Sequence, residues 1–350
     1  MLCISPPAWG TEAALSEDGV VNLGTQPLRI PSGMILEALR RDGVLAEEMA
    51  KTGGELHFHV HANGDDIRKG LAAGTAGLAG GVGGRSVALM ACADRSARIA
   101  SLVAFDFSAV VARKWSAVTD LQGKTLGIAA GTNAHYGLLH LFKSVDLPEA
   151  SIRLQEMAVG QLPDALRAGR IDAFSAWEPI PSVAIRQDGA KIIHRAFFPA
   201  YLLFSSAFHA RHPERVRLII AAQIRALDWL EASATNARQA MRWVREATGP
   251  ILDADWELTL DDLDRSFRIG WQYHAYSPLV TAEALQRDPL WAGSLEWLVK
   301  KGAVPAGTRR EDLAECLLQD DVMTIQRQPS RYRLGEFRYP PLTTDTRETP

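Results

Sequence analysis

Thr132, Asn133, Ala134 and His135 follow the small-residue run Ala129-Ala130-Gly131, which closes a strand pattern from Lys124 to Ala129. A strand that turns into a helix exposes the helix's first N–H groups and the positive end of its dipole, a place where an anion can sit. Thr132 and Asn133 are residue types that either cap such a helix or turn toward an anion, and the N–H groups of Ala134 and His135 add donors. His135 either faces the same space or packs against Tyr136. Further on, Ile171 to Phe174 reads as a second strand and leads into Trp177-Glu178-Pro179. Trp177 offers a flat wall for the apolar part of a small molecule, or else a core aromatic. Glu178 can pair with an amine or hydrogen-bond neighbouring backbone, and Pro179 sets the backbone exit.

A second group lies upstream. The turn Gly80-Gly81-Val82-Gly83-Gly84 is followed by Arg85 and Ser86. Gly81, Gly83 and Gly84 permit close backbone approach, and a guanidinium at Arg85 can hold a sulfonate, carboxylate or phosphonate in bidentate fashion. Gln26, at the end of the first strand, is a candidate amide contact or a cap for the loop before Pro27. The glycines are too dense for a dinucleotide fingerprint, and no G-x-S-x-G, H-E-x-x-H or P-loop is present. His57, His59 and His61 alternate along one strand face, a spacing that metal sites use. No closing ligand is evident, so a solvent-facing stripe is expected and no metal or cofactor is called for.

These groups need elements to position them. Val20 to Gly24 is a short strand, and Ser32 caps a helix begun by Met34, Ile35 and Leu36. Leu56, Phe58 and Val60 alternate as a strand, Asn63 to Asp66 caps a helix to about Ala73, and Leu78-Ala79 is a third strand. The alternation predicts an α/β fold with doubly wound, mostly parallel sheets, whose ligands bind at the C-terminal strand ends. Ile99 to Phe105 and Ala109 to Arg113 read as two strands joined at Asp106, and Tyr201 to Ser206 as a return strand. His212 to Glu246 is helical, helices continue to about Leu318, and Pro329 to Pro350 is a polar strap or tail. The expected division is a discontinuous first lobe (20–108 and 208–320), a second lobe (109–207) and a tail (321–350).

Composition narrows the classes. With 350 residues the chain is long enough for two lobes, and a net charge of −3 argues against a nucleic-acid partner. Cys3, Cys92 and Cys316 are odd in number and widely spaced, which suits inert thiols. No apolar run would span a bilayer. Residues 1–20 show no basic n-region and no long apolar h-region, so a complete export signal is not expected within them.

The segment Asp120-Leu121-Gln122-Gly123-Lys124, Gly131-Thr132-Asn133-Ala134-His135-Tyr136, Gly169-Arg170-Ile171-Asp172-Ala173 and Trp177-Glu178-Pro179 resembles the sulfonate/taurine/nitrate group of periplasmic solute-binding proteins of ABC transporters. The resemblance spans roughly residues 20 to 315 and is looser after Arg215. It implies a two-lobed periplasmic-binding-protein fold that closes by a hinge on a small organic anion. The implied partner is a transporter permease, and the protein is expected to be a monomer without enzymatic activity. The implied compartment is the periplasm, with the cytoplasm as runner-up. In the resemblance the turn Gly81–Ser86 faces the cleft opposite Thr132, although Gly83, Gly84 and Arg85 replace the usual Asp or Ser and Pro. The alternatives are a cytoplasmic enzyme on the same fold or a cytoplasmic ligand sensor. An aromatic sulfinate desulfinase of similar fold needs a cysteine after the first strand, where this chain has Gly24-Thr25-Gln26-Pro27. A thiamine-pyrimidine synthase needs a cysteine-rich motif that is absent.

Overall fold

A computed structural model describes residues 19–61, 63–249, 257–272, 277–287 and 289–341, without the side chains of 289–292. Cys3, Pro6, Pro7, Glu17 and Asp18, and the tail beyond 341, lie outside the described residues. Eight strands form one sheet in the order β2-β1-β3-β8-β4-β7-β5-β6. They are β1 (Val20–Thr25), β2 (Glu55–Val60), β3 (Leu78–Gly83), β4 (Ala97–Ala112), β5 (Thr125–Ile128), β6 (Arg153–Glu156), β7 (Ala173–Trp177) and β8 (Lys191–Ser205). One half, β2-β1-β3, is parallel, and so is the other, β7-β5-β6. β4 and β8 run antiparallel to each other between the two halves.

The α/β architecture is the one read from the sequence, but its centre differs. Asp106 does not separate two strands: β4 is continuous over 16 residues and pairs with β8 across both halves. The expected break reflected a charged residue inside an apolar run. The charge is tolerated because Asp106 is paired: it accepts from Arg29 Nε at 2.9 Å, Ser32 N at 3.0 Å and Ser32 Oγ at 2.7 Å. The return strand likewise begins at Lys191, ten residues before Tyr201. Two expected separate sheets are therefore hydrogen-bonded into one.

The inner strands of each half are covered on both faces, which is why β3 and β5 read as apolar runs, whereas the edge strand β2 alternates. In the first half, Leu23, Ile35, Leu39, Ile219, Ala222 and Val244 pack one face, while Ile67, Val87, Met90, Leu203 and Leu298 pack the other. In the second half, Leu126, Leu138 and Phe142 lie opposite Leu162, Phe174 and Ile180. The histidine stripe of β2 is not uniformly solvent-facing. His59 Nε2 lies 2.9 Å from Asn22 Oδ1, and His61 is 2 % exposed, with burial pushing its pKa down to about 4. A strand end that enters the core buries whatever side chain its pleat turns inward.

As far as residue 341 the C-terminal segment lies as a strap on the first half. A helix, Gln319–Arg327, overlaps its expected start. Beyond it Tyr332 is buried, and Tyr339 packs against Trp229 with ring centroids 4.3 Å apart and planes tilted by 32°. Arg338 O accepts from Gly43 N at 2.8 Å. No described helix is long and apolar enough to cross a membrane.

Candidate functional site

The parallel strands of both halves point their C-terminal ends at one another, and a cleft of about 570 Å³ lies between them. Almost every strand end contributes: Gln26 after β1, Asn63 after β2, Gly83 and Arg85 at β3, Thr132 to Ala134 after β5, Glu156 on β6 and Trp177 on β7. Ser108, midway along β4, forms part of the lining, as does Arg29. The volume suits a small molecule.

The anion-binding ends are unequally occupied. The helix Ser32–Arg40 already has a carboxylate at its N-terminus, because Ser32 N donates to Asp106. The helix Asn133–Ser144 does not. Its cap Thr132 accepts from His135 N at 3.3 Å and donates to Ala129 O at 2.8 Å. Tyr136 N is bonded to Thr132 O, but no acceptor among the described residues takes the N–H groups of Asn133 and Ala134. Gly131, at φ +72°, makes the turn that aims them. The Thr132 hydroxyl caps the helix, and the residue also lines the cleft.

The two walls touch. Asn133 Oδ1 accepts from Arg85 N at 3.2 Å, and Arg85 Nη1 donates to Asp65 Oδ1 at 3.1 Å. A Cβ at Gly83 would collide with the Asn133 amide and come within 3.0 Å of Arg29 Nη1. Gly83→Ala is therefore expected to push Asn133 away and to cost about 1–3 kcal/mol, a fall of several degrees in melting temperature. An unchanged melting curve would mean that the contact yields freely.

The structure gathers Gln26, Gly83, Arg85, Thr132, Asn133, Ala134 and Trp177 around the cleft, and does not bring the other candidates to it. Gly81 is enclosed beside Leu36 and Ser32, and Gly84 opens the short helix Gly84–Ala88 between the lining residues Gly83 and Arg85. The His135 ring turns back on its own turn, where Nδ1 accepts from Gly131 N at 3.0 Å. Its edge meets Trp297 at 6.1 Å, and burial lowers its pKa. Glu178, in the turn just after β7, is turned into the interior and not into the cleft. It is 1 % exposed, and its Oε2 accepts from Ser182 N at 3.2 Å and Ser266 Oγ at 2.8 Å. Burial raises its pKa to about 7. It braces the two halves behind the cleft, as does Arg186, whose Nε donates to Asp262 Oδ2 at 3.0 Å.

Sequence reasoning missed Arg29, Asp65, Ser108 and Glu156 as lining residues. Asp65 had a signal, since it stands beside the Asn63 cap that follows a parallel strand. Glu156 had none, because β6 is only four residues long. Among the described residues no group of three His, Cys, Asp or Glu side chains is placed to hold a metal.

A model of the NMT1-like family matches residues 51–245, more than half of the chain. The chain belongs to the NMT1-like family. It is 28% identical over 126 residues to a Brachyspira hyodysenteriae protein named as an ABC transporter periplasmic binding protein, covering 35% of this chain and 36% of that one. It is 23% identical over 117 residues to a Bacillus subtilis protein named as an aliphatic sulfonates-binding protein, covering 32% and 35%. The chain thus matches about a third of the length of these curated relatives. The solved structure of a protein from Methylobacillus flagellatus, described as a periplasmic sulfonate-binding protein of an ABC transporter, superposes with a TM-score of 0.69. That match has 17% identity and covers 94% of this chain and 100% of that one. At that identity the likeness shows the fold. The family's matched range contains β3, the 133–144 helix and β7, and so most of the cleft lining.

Proposed function

We propose that the protein is the solute-binding component of an ABC transporter and captures a small organic anion of the sulfonate class in this cleft. One observation carries the reading. The N–H groups of Asn133 and Ala134, at a helix N-terminus, are unfilled in a cleft that two sheet halves close from opposite sides. The names of the relatives support it.

In this reading the first half with its carboxy-terminal helices and the second half with β5, β6 and β7 are lobes that hinge about β4 and β8. Only contacts made by both lobes together favour closure, so ligand binding shifts the open–closed equilibrium. Asn133 and Arg85 supply a contact of that kind. Trp177 covers the apolar part of the ligand, and the closed form docks on a permease in the periplasm as a monomer. Nothing at the end of β1 supplies a thiol nucleophile, and Cys92 and Cys316 do not line the cleft. This disfavours the desulfinase alternative.

Calorimetric titration with alkane and aryl sulfonates, nitrate and phosphonates tests the reading. Binding of one class is expected, and Trp177→Ala should weaken it at least about tenfold, the loss of one well-packed aromatic contact. Unchanged affinity in that variant would sink the site, and turnover of a sulfinate would replace the binding function with catalysis.

A further inference from the structure

Among the described residues three cationic side chains line the cleft, and each has a carboxylate partner: Arg29 with Asp106 at 2.9 Å, Lys69 with Asp66 at 3.3 Å and Arg85 with Asp65 at 3.1 Å. Asp65 and Asp66 line the cleft too, so those two pairs show a ligand both signs of charge. The Arg29 pair is different, because Asp106 lies behind the wall. Its side chain is 3% exposed and is bonded to Ser32 N and Ser32 Oγ as well as to Arg29. It takes only Nε of Arg29, and no acceptor among the described residues takes Nη1 or Nη2. Asn133, on the opposite wall, is in the same condition: its Oδ1 accepts from Arg85 N, and its Nδ2 has no acceptor among the described residues. These donors converge at Gly83, where a Cβ would touch Asn133 Nδ2 and lie 3.0 Å from Arg29 Nη1.

The geometry points to Arg29 as an anion-binding residue of the cleft, whose Nη1 and Nη2 meet the ligand's anionic group opposite the Asn133 and Ala134 N–H groups. This rests on the proposed anion site at the 133–144 helix and assigns the donor that faces it from the other half. Donors without an acceptor, gathered at one point from two walls, suit an oxyanion and oppose a cation. A guanidinium has more than one edge, so Asp106 fixes Nε while the remaining fork stays free. A fork already held in place loses little entropy when it binds. Arg29 stands between β1 and the helix Ser32–Arg40, whereas Asn133 begins the 133–144 helix, so an anion between them ties the two halves together. Such a contact exists only when both walls are near, and it therefore favours closure.

Two variants of the full chain separate ligand contact from support of the fold. Arg29→Lys keeps a counter-charge for Asp106 and takes away the fork. The double variant Arg29→Gln, Asp106→Asn removes both charges, so the net charge of the site is unchanged and no carboxylate is stranded. The three proteins are titrated with ethanesulfonate, ethylphosphonate and nitrate at a temperature where circular dichroism shows all of them folded. Both variants should bind the anion that the intact protein takes about tenfold or more weakly, the loss of a charge-assisted hydrogen-bonded contact. A pair that only supported the fold would leave the affinity of the double variant unchanged. Affinities within about twofold of the intact protein in both variants would overturn the inference and leave the anion site standing. Binding of none of the three anions by the intact protein would overturn both.

Discussion

Asp42→Ala is expected to lower unfolding free energy by about 3–5 kcal/mol, the usual cost of stranding one partner of a buried ion pair. The Asp42 side chain is 0% exposed, and its Oδ2 lies 2.6 Å from Nη2 of Arg225, itself 3% exposed. Its Oδ1 also caps the helix Gly43–Lys51, accepting from Val44 N at 2.9 Å and Leu45 N at 3.3 Å. Arg225 in turn donates to Tyr332 O at 2.7 Å and so holds the C-terminal strap against the helix Pro213–Ala232. Removing the carboxylate leaves a guanidinium in the core, opens a helix end and loosens the strap at one stroke. Urea denaturation measures the loss. The double variant Asp42→Ala, Arg225→Leu should lose less than the sum of the two single changes, because the stranded charge is then gone. A single-variant loss below about 1 kcal/mol would refute the role assigned to this pair.

The second large effect is one of pH. Burial raises the Glu178 carboxyl to about 7 from an ordinary value of 4.5, and the hydrogen bonds from Ser182 and Ser266 together with Arg195 pull only partly against it. Between these two values the folded chain holds a proton that the unfolded chain has released, so the unfolded state binds fewer protons and stability falls as pH rises. Glu178 thus adds stability that is present below about 4.5 and is lost as pH climbs to about 7. The span corresponds to about 3 kcal/mol. Glu178→Gln keeps an acceptor for Ser182 N and Ser266 Oγ and carries no charge. It should therefore remove this slope and be more stable than the unchanged protein at pH 8. Denaturation midpoints at pH 5 and pH 8 for both proteins decide it, and parallel pH profiles would defeat the prediction. Because Glu178 joins β7 to the helix Leu260–Trp271 through Ser266, the same change probes how the two halves are braced.

Most secondary elements were legible because their signals are local. The apolar run at β5, the Asn63 cap and the helices after His212 each depend on neighbours within a few residues, whereas the glycines read as a turn after Leu78-Ala79 belong to β3 itself, which runs to Gly83. The failures occurred where a residue's partner is distant in sequence. Asp106 looked like a break because its partners, Arg29 and Ser32, lie more than seventy positions away. Glu178 and Trp177 are adjacent in sequence, and their separation into core and cleft depends on Ser266, eighty-eight positions away, which holds the Glu178 carboxylate.

The sequence by itself determined the alternation of strands and helices, hence a doubly wound sheet, and placed Gln26, Arg85, Asn133 and Trp177 at strand ends where such sheets bind ligands. Those conclusions follow from periodicity and capping chemistry, which act over a turn or a strand. Only the tertiary structure decided which charges are already neutralised and which helix N-terminus is already filled. Arg29 meets Asp106 on the central strand β4 from more than seventy positions away, and no local pattern encodes such a partner.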